Sequence, residues 1–354
     1  MRACNSNAKV RQAISFRFLG QTKIKLKMEE NKQNYVGIDI GLDWIDAAWY
    51  DQNKLCHIKL SNNLSGFKQL VARCDASSHY VMESTGPYYV ALALYLDLEK
   101  IKVSVINAIV IKRFIQMHLE KNKSDKKDAG WICKYAINQQ PELWKAPQEH
   151  IIRARQLQSA IMQLTKQRTA CINASKSLGQ MPVVSKETKI CYQRIIKNLN
   201  KEIKLLEKNL EILLSQYEQK KFEALQTIPG IGKRTVAMLI IATDGFRKVD
   251  NYRQLASWAG LSPKEFTSGK SIRGKVRINK MGSKELRNIL YMCSLTAIKS
   301  NKACKELYDR LKAKGKNGKL ALTAVSNKLI KQCVAIAKSE LPYDEKYFSK
   351  KACF

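Results

Sequence analysis

The run Tyr35-Val36-Gly37-Ile38-Asp39-Ile40-Gly41 constrains this chain more than any other stretch. It reads as a buried strand with one carboxylate in its middle and no lysine or arginine inside it. Burying an ionised carboxylate without a partner is costly, so Asp39 calls for neutralisation, an ion pair or a metal ion. If Asp39 holds a divalent cation, other acids must come from elsewhere in the chain. After Leu42-Asp43-Trp44 the chain returns through Ile45-Asp46-Ala47-Ala48-Trp49-Tyr50, which reads as a hairpin partner.

At 354 residues the chain is too long for one ordinary core, so two or three domains are expected. Lys and Arg number 63 against 30 Asp and Glu, a formal charge of +33. Such an excess favours a polyanionic partner, because each neutralised phosphate releases counterions. The bland alternative, a lysine-rich solvated surface, needs far less charge than this. Ten scattered cysteines without a C-x-x-C pair, and only four histidines, argue against a zinc site. Cys56-His57 is the sole Cys/His neighbour pair and reads as a strand accident. Reduced thiols in a cytosolic compartment fit best, and no apolar run approaches the ~20 residues of a membrane span. Residues 1–27 carry Arg2, Lys9, Arg11, Arg17, Lys23, Lys25 and Lys27 and no acid. A targeting peptide or a basic nucleic-acid-binding arm would look like this. So would a segment preceding a natural start at Met28, and residues 1–33 are read as a disordered basic extension.

Residues 34–147 form the first expected domain. Three short strands, the last over Lys54–Leu60, make an antiparallel meander with a tight connection at Asp51-Gln52-Asn53. A helix begins near Gly66, and a strand over His79–Glu83 stops at Ser84-Thr85-Gly86-Pro87. Then come a helix over Tyr88–Leu98, a strand over Val103–Ile106, a helix from Val110 to His118 and another from Asp125. This is the element order of the ribonuclease-H-like fold, in which the first strand is central and the fourth lies beside it. Asp39 and Glu83 would then face each other. Asp125 and Asp128, three apart at a helix start, would share one helix face. Four such carboxylates can hold two divalent ions roughly 3.5–4 Å apart, and hard oxygen ligands select magnesium or manganese. The bland readings are an accidental buried acid at Asp39 and a strand-end surface residue at Glu83. Asp125 and Asp128 would then be an N-cap and a dipole-favoured acid. Lys123, Lys126 and Lys127 are phosphate contacts in the first reading and a solvated face in the second. A rival for Asp39-Ile40-Gly41, the phosphate loop of sugar kinases and actin-like ATPases, lacks the second glycine-rich loop it would need.

Residues 148–222 form a helical connector. Leu157, Ile161, Leu164, Cys171 and Leu178 fall on heptad spacing, and Gly179-Gln180-Met181-Pro182 breaks the helix. Ile196, Leu199, Ile203, Leu206, Leu210, Leu213 and Tyr217 resume it. The pattern is a coiled-coil hairpin, closing on itself or on another subunit. The second domain, residues 223–340, opens with Ile228-Pro229-Gly230-Ile231-Gly232-Lys233, a helix-hairpin-helix signature. Its glycines would turn the backbone tightly and offer amides to a phosphate. Trp258 to Gly282 reads as a loop in which Thr267, Ser268 and Ser271 lie among six cations, Lys264, Lys270, Arg273, Lys275, Arg277 and Lys280. Such a loop can bring a hydroxyl to a phosphodiester beside stabilising cations, or simply bind nucleic acid. Residues 341–354 read as a tail.

Taken in order, several motifs resemble one family closely. They are Gly37-Ile38-Asp39, Glu83-Ser84-Thr85-Gly86, Asp125-x-x-Asp128-Ala129 and Ile228-Pro229-Gly230-Ile231-Gly232. They continue with Gly260-Leu261-Ser262-Pro263, Ser268-Gly269-Lys270-Ser271-x-Arg273-Gly274, Ile278-x-Lys280-x-Gly282 and Leu286-Arg287. The family is that of insertion-sequence transposases with an N-terminal RuvC-like DEDD domain and a C-terminal serine-bearing transposase domain. It includes the Piv-type DNA invertases and the bridge-RNA-guided recombinases. The resemblance spans about residues 34–340; the basic extension before Met28 departs from it. It implies that Asp39, Glu83, Asp125 and Asp128 bind magnesium and that Ser268 forms a covalent phosphoserine with DNA, with Thr267 and Ser271 as neighbouring alternatives. It further implies a homo-oligomer, dimer or tetramer, in which one subunit's RuvC-like domain meets another's serine loop. Double-stranded DNA at element ends and target, and a structured noncoding guide RNA, would be its partners, with no membrane involved. Gly230, Gly232, Lys233, Lys270, Arg273, Lys275, Arg277 and Lys280 would contact nucleic acid. A Holliday-junction resolvase-like nuclease would use the same acids with water as nucleophile, and a non-enzymatic scaffold would be indifferent to magnesium.

Overall fold

The computed structural model describes residues 34–84, 86–118, 125–264, 267–268, 272–274 and 277–345; at 125–126, 267–268 and 272–273 it describes the backbone alone. The expected basic extension over 1–33 lies outside the described residues. The chain divides into two compact units, meeting in sequence at Ala146 and Pro147.

The first unit is built on strands β1 (Tyr35–Ile40), β2 (Trp44–Asp51), β3 (Lys54–Ser61), β4 (His79–Glu83) and β5 (Val103–Ile106). They form one sheet in the order β3-β2-β1-β4-β5, so β1 is central. β1 and β2 pair antiparallel, as do β2 and β3, while β4 lies parallel to β1 and β5 parallel to β4. Gln52 and Asn53 both take positive φ in the β2–β3 turn, the primed geometry whose twist suits a hairpin.

Alternation sorts the side chains onto two faces. Val36, Ile38 and Ile40 join Tyr80, Met82 and Val103 in one core. Helices α1 (Leu64–Cys74) and α2 (Tyr89–Leu98) cover it through Phe67, Leu70, Leu92 and Leu96. Tyr35 and Val81 face the other way, packing on helices α3 (Ala108–Met117) and α4 (Asp125–Gln139) through Ile111, Ile132, Cys133 and Ala136. This element order agrees with the expected mixed α/β architecture.

In the second unit, α5 (Glu149–Leu178) and α6 (Lys186–Tyr217) pack on each other as an antiparallel hairpin. His150 meets Glu218 at its base, and Arg168 donates to Asn200 at 3.1 Å further out. Ile151, Ala154, Ile161, Ile203, Leu210 and Leu214 merge into the same core as the following helices. Those are α7 (Gln219–Gln226), α8 (Lys233–Thr243), α9 (Tyr252–Trp258), α10 (Lys284–Ser300), α11 (Lys302–Ala313) and α12 (Gly318–Ser339). The structure departs from the expectation about apolar runs: α12 is long and apolar enough to span a membrane, yet half of its apolar window is buried, packed on α10 and α11. The start of the expected tail is tied down too, where the Tyr343 backbone N–H donates to Thr227 Oγ1 at 2.7 Å.

The stretch read as a loop over Trp258 to Gly282 begins on the last residue of α9 and contains paired strands. β6 (Pro263–Lys264) pairs with β9 (Arg277–Ile278), and between them β7 (Thr267–Ser268) pairs with β8 (Ile272–Arg273). Each is two residues long, too short for alternation to announce it in the sequence.

Candidate active site

The site begins with register. Ile38 pairs with Met82 in the parallel β1–β4 ladder, so Asp39 lies one step along, level with Glu83 at the end of β4. Asp39 shares a face with Tyr35 and Gly37, and Glu83 with His79 and Val81. That is the face covered by α3 and α4. The two acids expected to meet across adjacent strands are therefore on one face at one level, both partly buried.

Helix α4 supplies the third element. Its backbone lies directly on Gly37, where a methyl group would overlap the Cys133 amide and the Ala129 carbonyl. One turn further along, Cys133 Sγ donates to the Tyr35 carbonyl at 3.3 Å, and Ala136 packs in the same cluster as Tyr35. The helix thus runs opposite to β1: Ala136 and Cys133 lie near Tyr35 and Ala129 near Gly37. The preceding turn, holding Asp125 and Asp128, heads toward the level of Asp39. Glycine at 37 is what permits this approach. Burial keeps the Cys133 thiol protonated, its pKa pushed up to about 12, so it packs as a small apolar group.

Among the described residues, no group of three or more His, Cys, Asp and Glu side chains is close enough to enclose a metal ion. The structure carries Asp39, Glu83 and Asp128 to one end of one sheet face without closing them into a shell, and the Asp125 side chain lies outside the described residues. The donor set is hard oxygen throughout, which fits a divalent ion such as magnesium.

Sequence reasoning missed Asp46. It stands directly opposite Asp39 in the β1–β2 ladder and is 6% exposed. A signal was present: a hairpin turning at Leu42-Asp43 pairs residues whose numbers sum to 85, which sets 39 against 46.

In the second unit the described nucleic-acid candidates fall in two stretches, one at the start of α8 and one in and just after the short strands. Gly230 takes φ +96°, and a Cβ there would lie 2.7 Å from the Ala297 Cβ, so its lack of a side chain lets α10 approach. Gly232, the residue preceding α8, faces open space. The Lys233 ammonium pairs with Glu211 of α6. Arg277 and Lys280 are exposed. Ser268 pairs with Ile272 through its backbone, and Arg273 with Thr267. Lys270, Ser271 and Lys275 lie outside the described residues.

Residues 36–178 match a DEDD transposase domain of the IS110 type, and residues 222–309 match the family described as Transposase IS116/IS110/IS902. The chain belongs to the IS110 family of transposases. It is 28% identical to the pilin gene-inverting protein of Moraxella bovis over 327 residues, covering 89% of this chain and 98% of that one. The pilin gene-inverting protein of Moraxella lacunata matches to the same extent. An insertion element IS110 protein of 43.6 kDa from Streptomyces coelicolor is 28% identical over 122 residues, covering 34% of this chain and 30% of that one. Membership makes this a DNA recombinase or transposase that binds DNA, with a DEDD domain of the divalent-metal-dependent kind.

Proposed function

We propose that this transposase cuts and rejoins DNA through a serine–phosphate intermediate. Asp39, Glu83, Asp125 and Asp128 would hold two magnesium ions, and Ser268 would serve as nucleophile. The observation that carries the reading is the shared face and level of Asp39 and Glu83, with the first turn of α4 heading toward them. Bound divalent ions supply Lewis-acid polarisation of the scissile phosphate and stabilise the leaving oxygen. The chain's own groups do the rest. Ser268 Oγ bonds to phosphorus as its proton departs, the phosphorus–oxygen bond to the neighbouring nucleotide breaks, and that oxygen leaves as a hydroxyl. Attack of a hydroxyl from the new partner strand on the phosphoserine reverses the step and regenerates Ser268. One phosphodiester is exchanged for another, so no ATP is needed.

Recognition of sequence falls to a guide RNA. A charge of +33 suits a protein that tracks two kinds of phosphate backbone while base pairing reads the target. The glycine turn ahead of α8 acts as a helix-hairpin-helix on backbone phosphate. The α5–α6 hairpin acts as a coiled coil in the assembled oligomer, which works in the bacterial nucleoid. The competing reading, hydrolysis by the same acids with water as nucleophile, leaves free ends and no adduct.

The test uses full-length protein with element-end DNA, magnesium and cellular RNA. The expected result is a protein–DNA adduct that survives denaturation and maps to Ser268, together with joined product. Ser268→Ala should lose both and keep nucleic-acid binding. Cleaved DNA with free ends and no adduct would establish the water mechanism instead.

A further inference from the structure

One row of charged residues crosses the sheet on the α4 face, and only two of its members are absorbed by the site described. Reading from edge strand to centre and beyond, the register sets Lys59 of β3 against Asp46 of β2, Asp46 against Asp39 of β1, and Asp39 level with Glu83 of β4. Side chains directly opposite in an antiparallel pair lie about 4.5–5.5 Å apart at Cβ, and like charges placed so repel. The fold nevertheless puts Asp46, one of its few buried acids, next to Asp39.

Asp46 is clamped from the far side. His57 Nε2 donates to its Oδ1 at 2.8 Å, and the Lys59 ammonium stands 3.6 Å from its Oδ2. Both partners sit on β3, two residues apart and therefore on the same face. Each carboxylate oxygen thus has its own cationic or N–H partner on the side away from Asp39. The Asp46 carboxylate is held one strand away from the acids that would take the cations.

We infer that Asp46 is a positioning residue for the cation cage, a buried fixed negative charge opposite Asp39 that tightens divalent-ion binding without itself joining the coordination shell. The inference rests on the proposed cation site. Its physical basis is electrostatic. A buried negative charge is weakly screened, so it deepens the potential felt by a dication beside Asp39. Substitutions just outside a coordination shell typically alter metal affinity by about 10–100-fold. The competing account is a purely structural staple in which Asp46, His57 and Lys59 pin the edge strand β3 to β2.

The two accounts separate on full-length protein titrated with manganese and followed by electron paramagnetic resonance, with thermal unfolding in chelator as the check on folding. Asp46→Asn keeps the side-chain shape and the contact to His57. It should weaken manganese binding by about tenfold and raise by a similar factor the ion concentration that half-saturates recombination. Lys59→Met removes part of the charge opposing Asp46 and should tighten manganese binding about two- to threefold. A staple predicts lower unfolding temperatures and no change in manganese affinity for either variant, and that result overturns the inference while leaving the cation site intact. If wild type binds no manganese, or Asp39→Asn binds it as tightly as wild type, the cation site itself falls and the role of Asp46 with it.

Discussion

The acids and the serine of this transposase stand on opposite kinds of scaffold. Asp39 and Glu83 lie on the central strand and its parallel neighbour in a five-stranded sheet, backed by apolar packing on both faces. Ser268 lies on a two-residue strand in a short ribbon beside the helical core of the other unit. Cation ligands need positions fixed to a fraction of an ångström, and packed strands provide them. The proposed nucleophile is instead carried on a two-residue strand pair. The difference teaches that substitutions in the packing behind the acids should act through geometry, whereas substitutions at the acids and the serine themselves should act through chemistry.

The largest expected effect is at the acids. Asp39→Asn should reduce recombination by about a thousandfold or more in a plasmid inversion assay while changing unfolding free energy by less than about 1 kcal/mol. Full activity in that variant would remove Asp39 from the site. The corresponding loss at Ser268→Ala should come with an unchanged unfolding temperature; a marked drop would show that the ribbon is structural after all.

Next come the two glycines that let helices approach. Gly37→Val forces α4 off β1 and should destabilise the first unit by about 3 kcal/mol or more, read by denaturant unfolding and protease sensitivity. Gly230→Ala combines a left-handed backbone with a methyl group pressed on Ala297, and should cost about 2–4 kcal/mol in the second unit. If Gly230→Ala leaves stability unchanged and weakens DNA binding instead, the glycine belongs to the nucleic-acid contact and not to packing.

A pH dependence of similar total size, spread over more than two pH units, is expected in the first unit. His79 is buried against the Tyr35 ring at 5.2 Å and bonds Ser104 Oγ at 2.8 Å. Burial, with a smaller push from Lys102, lowers its pKa from 6.5 to about 4. The unfolded chain therefore takes up this proton first. Stability should be unaffected above about pH 6.5, fall between about 6.5 and 4, and respond no further below that, a total of roughly 3 kcal/mol. A His79→Asn variant lacking that slope, compared with wild type by thermal unfolding across the same range, checks it.

Much of the sheet was legible in the sequence because each strand is short, apolar and closed by turn residues such as Asp51-Gln52-Asn53 and Gly86-Pro87. Central β1 and neighbouring β4 follow from element order, and with them the meeting of Asp39 and Glu83. Asp46 was legible only through register, since alone it looks like an ordinary polar position in a hairpin strand. The ribbon around Ser268 was hidden because two-residue strands carry no period. Gly230 was only half legible: a glycine turn before a helix suits a phosphate, but its close approach to Ala297 of α10 depends on a contact far along the chain. The exposed and buried sides of α12 were likewise invisible, because an apolar helix looks alike whether protein or lipid covers it.

The most direct test is to load the full-length protein with ferrous iron in place of magnesium and add peroxide and ascorbate, so that the backbone is cut beside the bound ion. The account predicts cuts at the end of β1, at the end of β4 and around residues 125–128, all suppressed by Asp39→Asn and by excess magnesium. Cuts confined to other segments, or cuts at these three that persist in Asp39→Asn, would contradict it.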